Sequence, residues 1–135
     1  MNFKKYILPL VVIIAFIIYK VYNKSHVNIA NSVEDISVSV KKIVEDFSSD
    51  ETLANTIYLD KIVSVKGELS EIKNANEKTI LILTSKDIFE TVQAELSSNA
   101  AQKIKNYTIG KPITVKGICT GYLMDVILVK CELIE

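Results

Sequence analysis

The hydrophobic positions of this chain change period twice, and each regime predicts a different kind of element. From Tyr6 to Tyr19 the sequence YILPLVVIIAFIIY carries no charge, and Lys20 is followed by Val21 and Tyr22. Residues 6–22 therefore predict an apolar helix that spans a membrane. At about 1.5 Å per residue it reaches roughly 25 Å, a little short of the hydrocarbon core. Lys20 must snorkel, and Tyr6, Tyr19 and Tyr22 suit the interfaces. A helix apolar on every side cannot be buried by the small domain that follows.

Residues 23–32 are polar and unpatterned, and predict a linker. Beyond them Val33, Ile36, Val40, Ile43 and Phe47 recur at helical spacing, with Ser32 as N-cap and Asp35 in the first turn, so residues 33–47 predict an amphipathic helix. A second, from Ser49 or Asp50 to about Leu59, would start at a capping box of Ser48 and Glu51 and turn Leu53, Ala54 and Ile57 inward. Residues 33–59 thus form a helical extension.

From residue 60 the period becomes two. Val63, Val65 and Leu69 alternate with polar residues, with a bulge or bend expected at Gly67; KNANEK, residues 73–78, then makes a turn. TILILTS, residues 79–85, is apolar on both faces, and Val92, Ala94 and Leu96 face inward from a third strand. Ser97 or Ser98 caps a short helix ended by Gly110. PITVKGIC makes the fourth strand and DVILVKCELI the fifth, the latter with Ile127, Val129, Cys131 and Leu133 on one face. Lys61, Val63, Val65, Lys66 and Gly67 match Lys111, Ile113, Val115, Lys116 and Gly117 at a constant offset. Their flanks do not match, so the echo reflects two strands with the same demands in one barrel rather than a tandem repeat. The expectation is a mainly β fold with α, a five-stranded barrel of order β-β-β-α-β-β over residues 60–135. That order is the OB-fold's.

Two stretches, TLANTIYLDKIVSVKGEL and ITVKGICTGYLMDVILVKCEL, resemble the tRNA-anticodon-binding-like OB-fold family. The likeness rests on Ala54, Tyr58, Lys61, Val63, Val65 and Gly67, then on Val115, Gly117, Cys119, Gly121, Asp125, Val126, Leu128 and Cys131, and covers about residues 33–135. It implies a barrel of a kind that is mostly bacterial, often exported or membrane-anchored, and without an assigned activity. It brings no catalytic residue with it.

Composition narrows the functional classes. Residues 1–24 hold four lysines and no acid, residues 25–60 two lysines and seven acids, and residues 61–135 ten and nine. Every basic residue is Lys, so the side chain best suited to bidentate phosphate or guanine recognition is missing. Lys4 and Lys5 make residues 1–5 a cytoplasmic stub and place the rest extracytoplasmically, although Lys20 and Lys24 pull the other way. A cleaved signal peptide is the rival reading, but Tyr19 to Asn23 offers no small-x-small site.

OB-folds bind on the face of strands two and three and in the loops joining strands one to two and four to five. Those places hold Lys73 and Asn74, with Lys78, in the first loop, Phe89 near the third strand, and Tyr122, Leu123, Met124 and Asp125 in the last. Few aromatics in a near-neutral barrel argue against single-stranded nucleic acid. With no phosphate loop, GxSxG elbow or HExxH, no enzyme and no cofactor are expected, and a lone His26 gives a metal nothing to build on. Asn106, Tyr107 and Thr108 form a glycosylation sequon that matters only in a eukaryotic secretory pathway. Cys119 and Cys131 are either a disulfide or two buried thiols. A tight hairpin between their strands would offset them by roughly 16 Å, too far for a bridge. The partners expected are a membrane through residues 6–22 and a protein or small ligand at the barrel loops. In the alternative, the anchor and helix 33–47 assemble an oligomer around a structural barrel.

Overall fold

The computed structural model describes residues 4–22 and 28–134, with backbone only at residues 4–6 and 8. His26, half of the expected linker (residues 23–27), the first three residues and Glu135 lie outside the described residues. Helix α1, Lys4–Tyr22, covers the expected apolar segment, and its apolar side chains from Ile7 to Val21 stand open to solvent where described. Among the described residues no helix is long and apolar enough to cross a membrane.

The body begins earlier than the linker prediction allows. Ile29–Asn31 is a 3-10 turn with Ile29 buried, and the Lys116 ammonium donates to the carbonyls of Ala30 (3.3 Å) and Ser32 (2.8 Å). The helix expected over 33–47 is divided. Ile36–Ser39 is a strand, β1, and helix α2 occupies only Val40–Ser49. Asp35 decides this. Its backbone N–H donates to the Ile62 carbonyl and its carboxylate accepts from the Ile62 N–H, so the segment enters a parallel ladder beside residues 63–66. Ser39, not Ser32, caps α2 by accepting from the Lys42 N–H.

Helix α3, Glu51–Tyr58, is capped by Asp50 rather than Ser48, whose hydroxyl donates back to Val44. Its inward residues are Ala54 and Tyr58, while Leu53 and Ile57 face solvent. The Tyr58 ring lies 5.7 Å from Phe47 and its hydroxyl donates to Asp46 at 2.6 Å, a polar partner that lets a large ring be buried.

Strands β2 (Ile62–Ala75), β3 (Lys78–Thr84), β4 (Val92–Leu96), β5 (Pro112–Leu123) and β6 (Asp125–Ile134) close on themselves in the order β2-β3-β4-β6-β5-β2. This is the five-stranded barrel expected from the sequence, with α4 (Ser98–Lys103), capped by Ser97, between its third and fourth strands. β1 is an addition to it. The first half of β2 lies between β1 and β5, and its second half pairs with β3. α2 seals the barrel with Val40, Ile43, Val44 and Phe47, all fully buried against Val65, Leu69, Leu83 and Leu128. Each such side chain contributes about 1.5–3 kcal/mol. That stripe is therefore spent on the chain's own core.

Glycine 67 is not a bulge; β2 runs straight through it, and the irregularity comes at Leu69/Glu71. Its backbone approaches the Val40 side chain and the Thr84 carbonyl so closely that no Cβ fits. The β2–β3 turn is tighter than the sequence suggests. Asn76 and Glu77, both with positive φ, form it alone. In β6 the expected face is wrong before Lys130. Val126 and Leu128 point inward, then an extra residue at Lys130 (φ 53°) shifts the register so that Cys131 is inward too.

Candidate functional site

The β5–β6 turn and helix α3 enclose a surface groove of about 390 Å³. α3 contributes Glu51 and Asn55, with Leu59 just beyond it; the hairpin contributes Tyr122, Leu123 and Ile127. The local sequence explains the placement. Met124, with φ 66°, is the single residue between Leu123 and Asp125 in register, so the two strands reverse at once and push Leu123 and Met124 into solvent.

Tyr122 stands at the floor of the groove because Phe47 supports it from below, with ring centroids 5.6 Å apart and planes tilted by 13°. Burial raises the phenol's pKa, and the carboxylates of Glu90, Asp125 and Glu51 raise it further. The groove lining is thus mostly apolar with Glu51 on it, and the carboxylates of Glu90 and Asp125 act on Tyr122 from nearby. No lysine lines it.

Asp125, a sequence candidate, has its carboxylate engaged. Oδ1 accepts from the Thr91 backbone N–H (2.7 Å) and hydroxyl (2.8 Å), and Oδ2 accepts from Gln93 Nε2 (2.9 Å). Burial alone would raise this carboxyl, but the bonds from Gln93 and Thr91 outweigh it, and with help from the Lys73 charge they hold it below the usual carboxylate range. Asp125 works as a fastener between the β5–β6 turn and the segment before β4.

Through that fastener the loop carrying Phe89 and Glu90 lies beside the hairpin turn, with the Phe89 ring wholly exposed. Lys73 lies near Asp125 but pairs with Glu71 at 3.6 Å, and the Asn74 side-chain Oδ1 accepts from the Thr79 hydroxyl. Tyr122, Phe89 and Asp125 are thus gathered at one end of the hairpin, and Lys73 approaches them. Asn74 is spent within the β2–β3 hairpin. The polar positions of β4 are occupied as well, Gln93 by Asp125 and Glu95 by Lys78 at 3.0 Å.

Sequence reasoning missed Glu51, Asn55 and Leu59, because the pattern turns the wrong face of α3 inward. The signal was Tyr58 four residues after Ala54, with Asp46 twelve residues earlier as partner for its hydroxyl. Cys119 and Cys131 are both free and buried. The register sets Cys119 opposite Leu128, three residues from Cys131. Burial raises both thiols, and Asp60 adds to the effect at Cys119. Among the described residues no cluster of His, Cys, Asp and Glu could hold a metal.

Comparison with known proteins agrees with this architecture. A family model described as tRNA_anti-like matches residues 1–133, α1 included. No curated protein matches by sequence. A lipoprotein from Klebsiella pneumoniae subsp. pneumoniae, described provisionally as nucleic acid-binding, superposes with a TM-score of 0.64 at 16% identity, over 73% of this chain and 91% of its own. The Stn1-Ten1 complex of S. pombe gives 0.45 at 12% identity over 55% of this chain and 58% of that one. A Leishmania major Friedlin protein, described provisionally as an aspartyl-tRNA synthetase, gives 0.48 at 11% identity over 88% and 25%. At 16% identity the likeness to the Klebsiella lipoprotein is one of fold.

Proposed function

The chain belongs to the tRNA_anti-like family, and on that premise we propose that it is a non-catalytic OB-barrel binding module. Residues 6–22 tether it to a membrane, residues 1–5 stay in the cytoplasm, and the barrel stands on the far side. The exposed apolar face of α1 supports the tether, since such a surface is costly in water. Its uncharged run is shorter than a bilayer core, so the tether needs Lys5 and Lys20 to snorkel and the bilayer to thin locally.

One observation carries the binding reading: the groove beside Tyr122 is mostly apolar, has Glu51 in its lining with Glu90 and Asp125 nearby, and is without lysine. It suits an apolar segment of a protein partner, or a small ligand with a cationic group. The Klebsiella lipoprotein's description raises nucleic acid, but a groove facing Glu51, Glu90 and Asp125 repels phosphate, and its one ring is stacked inward on Phe47. Assembly through the stripe of Val40 and Ile43 loses its surface, because both are buried in the core.

A photo-crosslinking residue at Leu123 of the full chain, compared with the same residue at Glu77, tests this. Capture from position 123 alone, abolished by Glu51→Lys with Leu59→Ser, is the expected result. Both substitutions spare Tyr122 and Asp125. Equal capture from the two positions would overturn the groove.

A further inference from the structure

We propose that the end of the barrel where the N-terminal segment docks is a membrane-facing surface that binds anionic phospholipid headgroups. The inference rests on the tether reading above, and two independent observations carry it.

The first is the length of the leash. Helix α1 ends at Tyr22, and from Ile29 onward the chain is fixed to the barrel by the buried Ile29 side chain and by Lys116. Only residues 23–28 join the two. Fully extended they reach about 20 Å. A barrel on so short a tether must stand with this end close to the bilayer. The hairpin turn at Leu123–Asp125 lies at the other end of β5, about seven residues from Lys116 and so about 23 Å away. The groove therefore faces outward while the docked end faces the lipid.

The second is charge. Between Glu95 and Asp125 the sequence has no acid and four lysines, Lys103, Lys105, Lys111 and Lys116. Lys103 shares a hollow with Lys116 and Ala30, and a second with Tyr107; Tyr107 lines a third with Lys66. Lys103 thus borders the docked segment, and Lys66 and Lys103 both flank Tyr107. Among the described residues none of Lys66, Lys103, Lys105 and Lys111 forms an ion pair. Glu34 and Glu132 lie in the hollow with Lys116, and Glu68 lies opposite Pro112, so among the described residues five lysines stand at this end against these three acids. Tyr107, half-buried, and Ile109, exposed, add side chains suited to the headgroup boundary. An unpaired lysine near an anionic surface contributes about fivefold in affinity.

The test uses full-length protein in vesicles of phosphatidylcholine, with or without phosphatidylglycerol, carrying an environment-sensitive dye on Ile109→Cys or on Leu123→Cys. The native thiols are buried and leave the new one to react. With phosphatidylglycerol present, headgroup-linked quenchers should quench the dye at 109 and spare the dye at 123. Lys103→Gln, Lys105→Gln and Lys111→Gln together should lower the docking equilibrium constant roughly a hundredfold, with unchanged circular dichroism. Protein that co-floats with vesicles while position 109 is unquenched overturns the lipid-facing surface, equal quenching without phosphatidylglycerol overturns the binding of anionic headgroups, and both leave the tether standing. A response at 109 to a single-stranded oligonucleotide but not to anionic vesicles overturns it in favour of nucleic acid. Protein that fails to co-float with either vesicle removes the tether, and this inference with it.

Discussion

Asp125 shows how one side chain can look like a ligand-binding group in sequence and act as a fastener in the fold. Its three hydrogen bonds reach Thr91 and Gln93, more than thirty residues away in the chain. No local pattern announces such a contact. Asp46 is similar, since burial would raise its carboxyl but the bonds from Lys42 and Tyr58 lower it. For carboxyls lowered by folding, the stabilisation is present above the ordinary carboxylate pKa of about 4 and is lost as pH falls through the folded value. Asp125→Asn should therefore cost about 1–2 kcal/mol near neutrality, and the gap to the native protein should close in acid. Denaturant titrations at the two pH values check this. A gap that stays constant in acid would contradict the fastener. Tyr122, by contrast, is a candidate in sequence only through its place in the last loop, and its stacking on Phe47 was not legible.

At the scale of elements, the sequence reveals periods and hides registers. All five barrel strands and the short helix after the third follow from alternation and caps. The strand β1 does not, because Ile36 fits a helical spacing with Val40 as well as a strand beside β2, and only the Asp35–Ile62 pairing decides. The face of β6 was misread for a similar reason. A single extra residue at Lys130 inverts a period-two pattern, and nothing in DVILVKCELI marks it. Gly67 was visible as special but for the wrong cause, crowding by α2 rather than a bulge. Gly67→Ala should then destabilise the protein by about 1–3 kcal/mol through overpacking. Much of that cost should vanish in a Val40→Ala background, since the two side chains compete for one space. Additive costs in thermal or chemical unfolding would refute the direct contact of α2 with β2.

For the whole molecule, the barrel and its family could be read from two strand motifs, whereas the way the chain is mounted could not. The linker seemed to extend to Ser32, yet Ile29 is buried and Lys116 holds the carbonyls that follow it. On the proposed tether, this shortening would mount the domain with a defined end toward the bilayer and leave the groove lined by Glu51, Leu59, Tyr122 and Leu123 on the side facing away. The central claim is a tethered barrel presenting that groove beyond the membrane, and labelling of Leu123→Cys in intact cells tests it most directly. Leu123 is exposed and both native thiols are buried. A membrane-impermeant maleimide should label the variant without permeabilisation, and the labelled chain should stay with the membranes through alkaline carbonate. Labelling only after permeabilisation, or release by carbonate, would contradict the account.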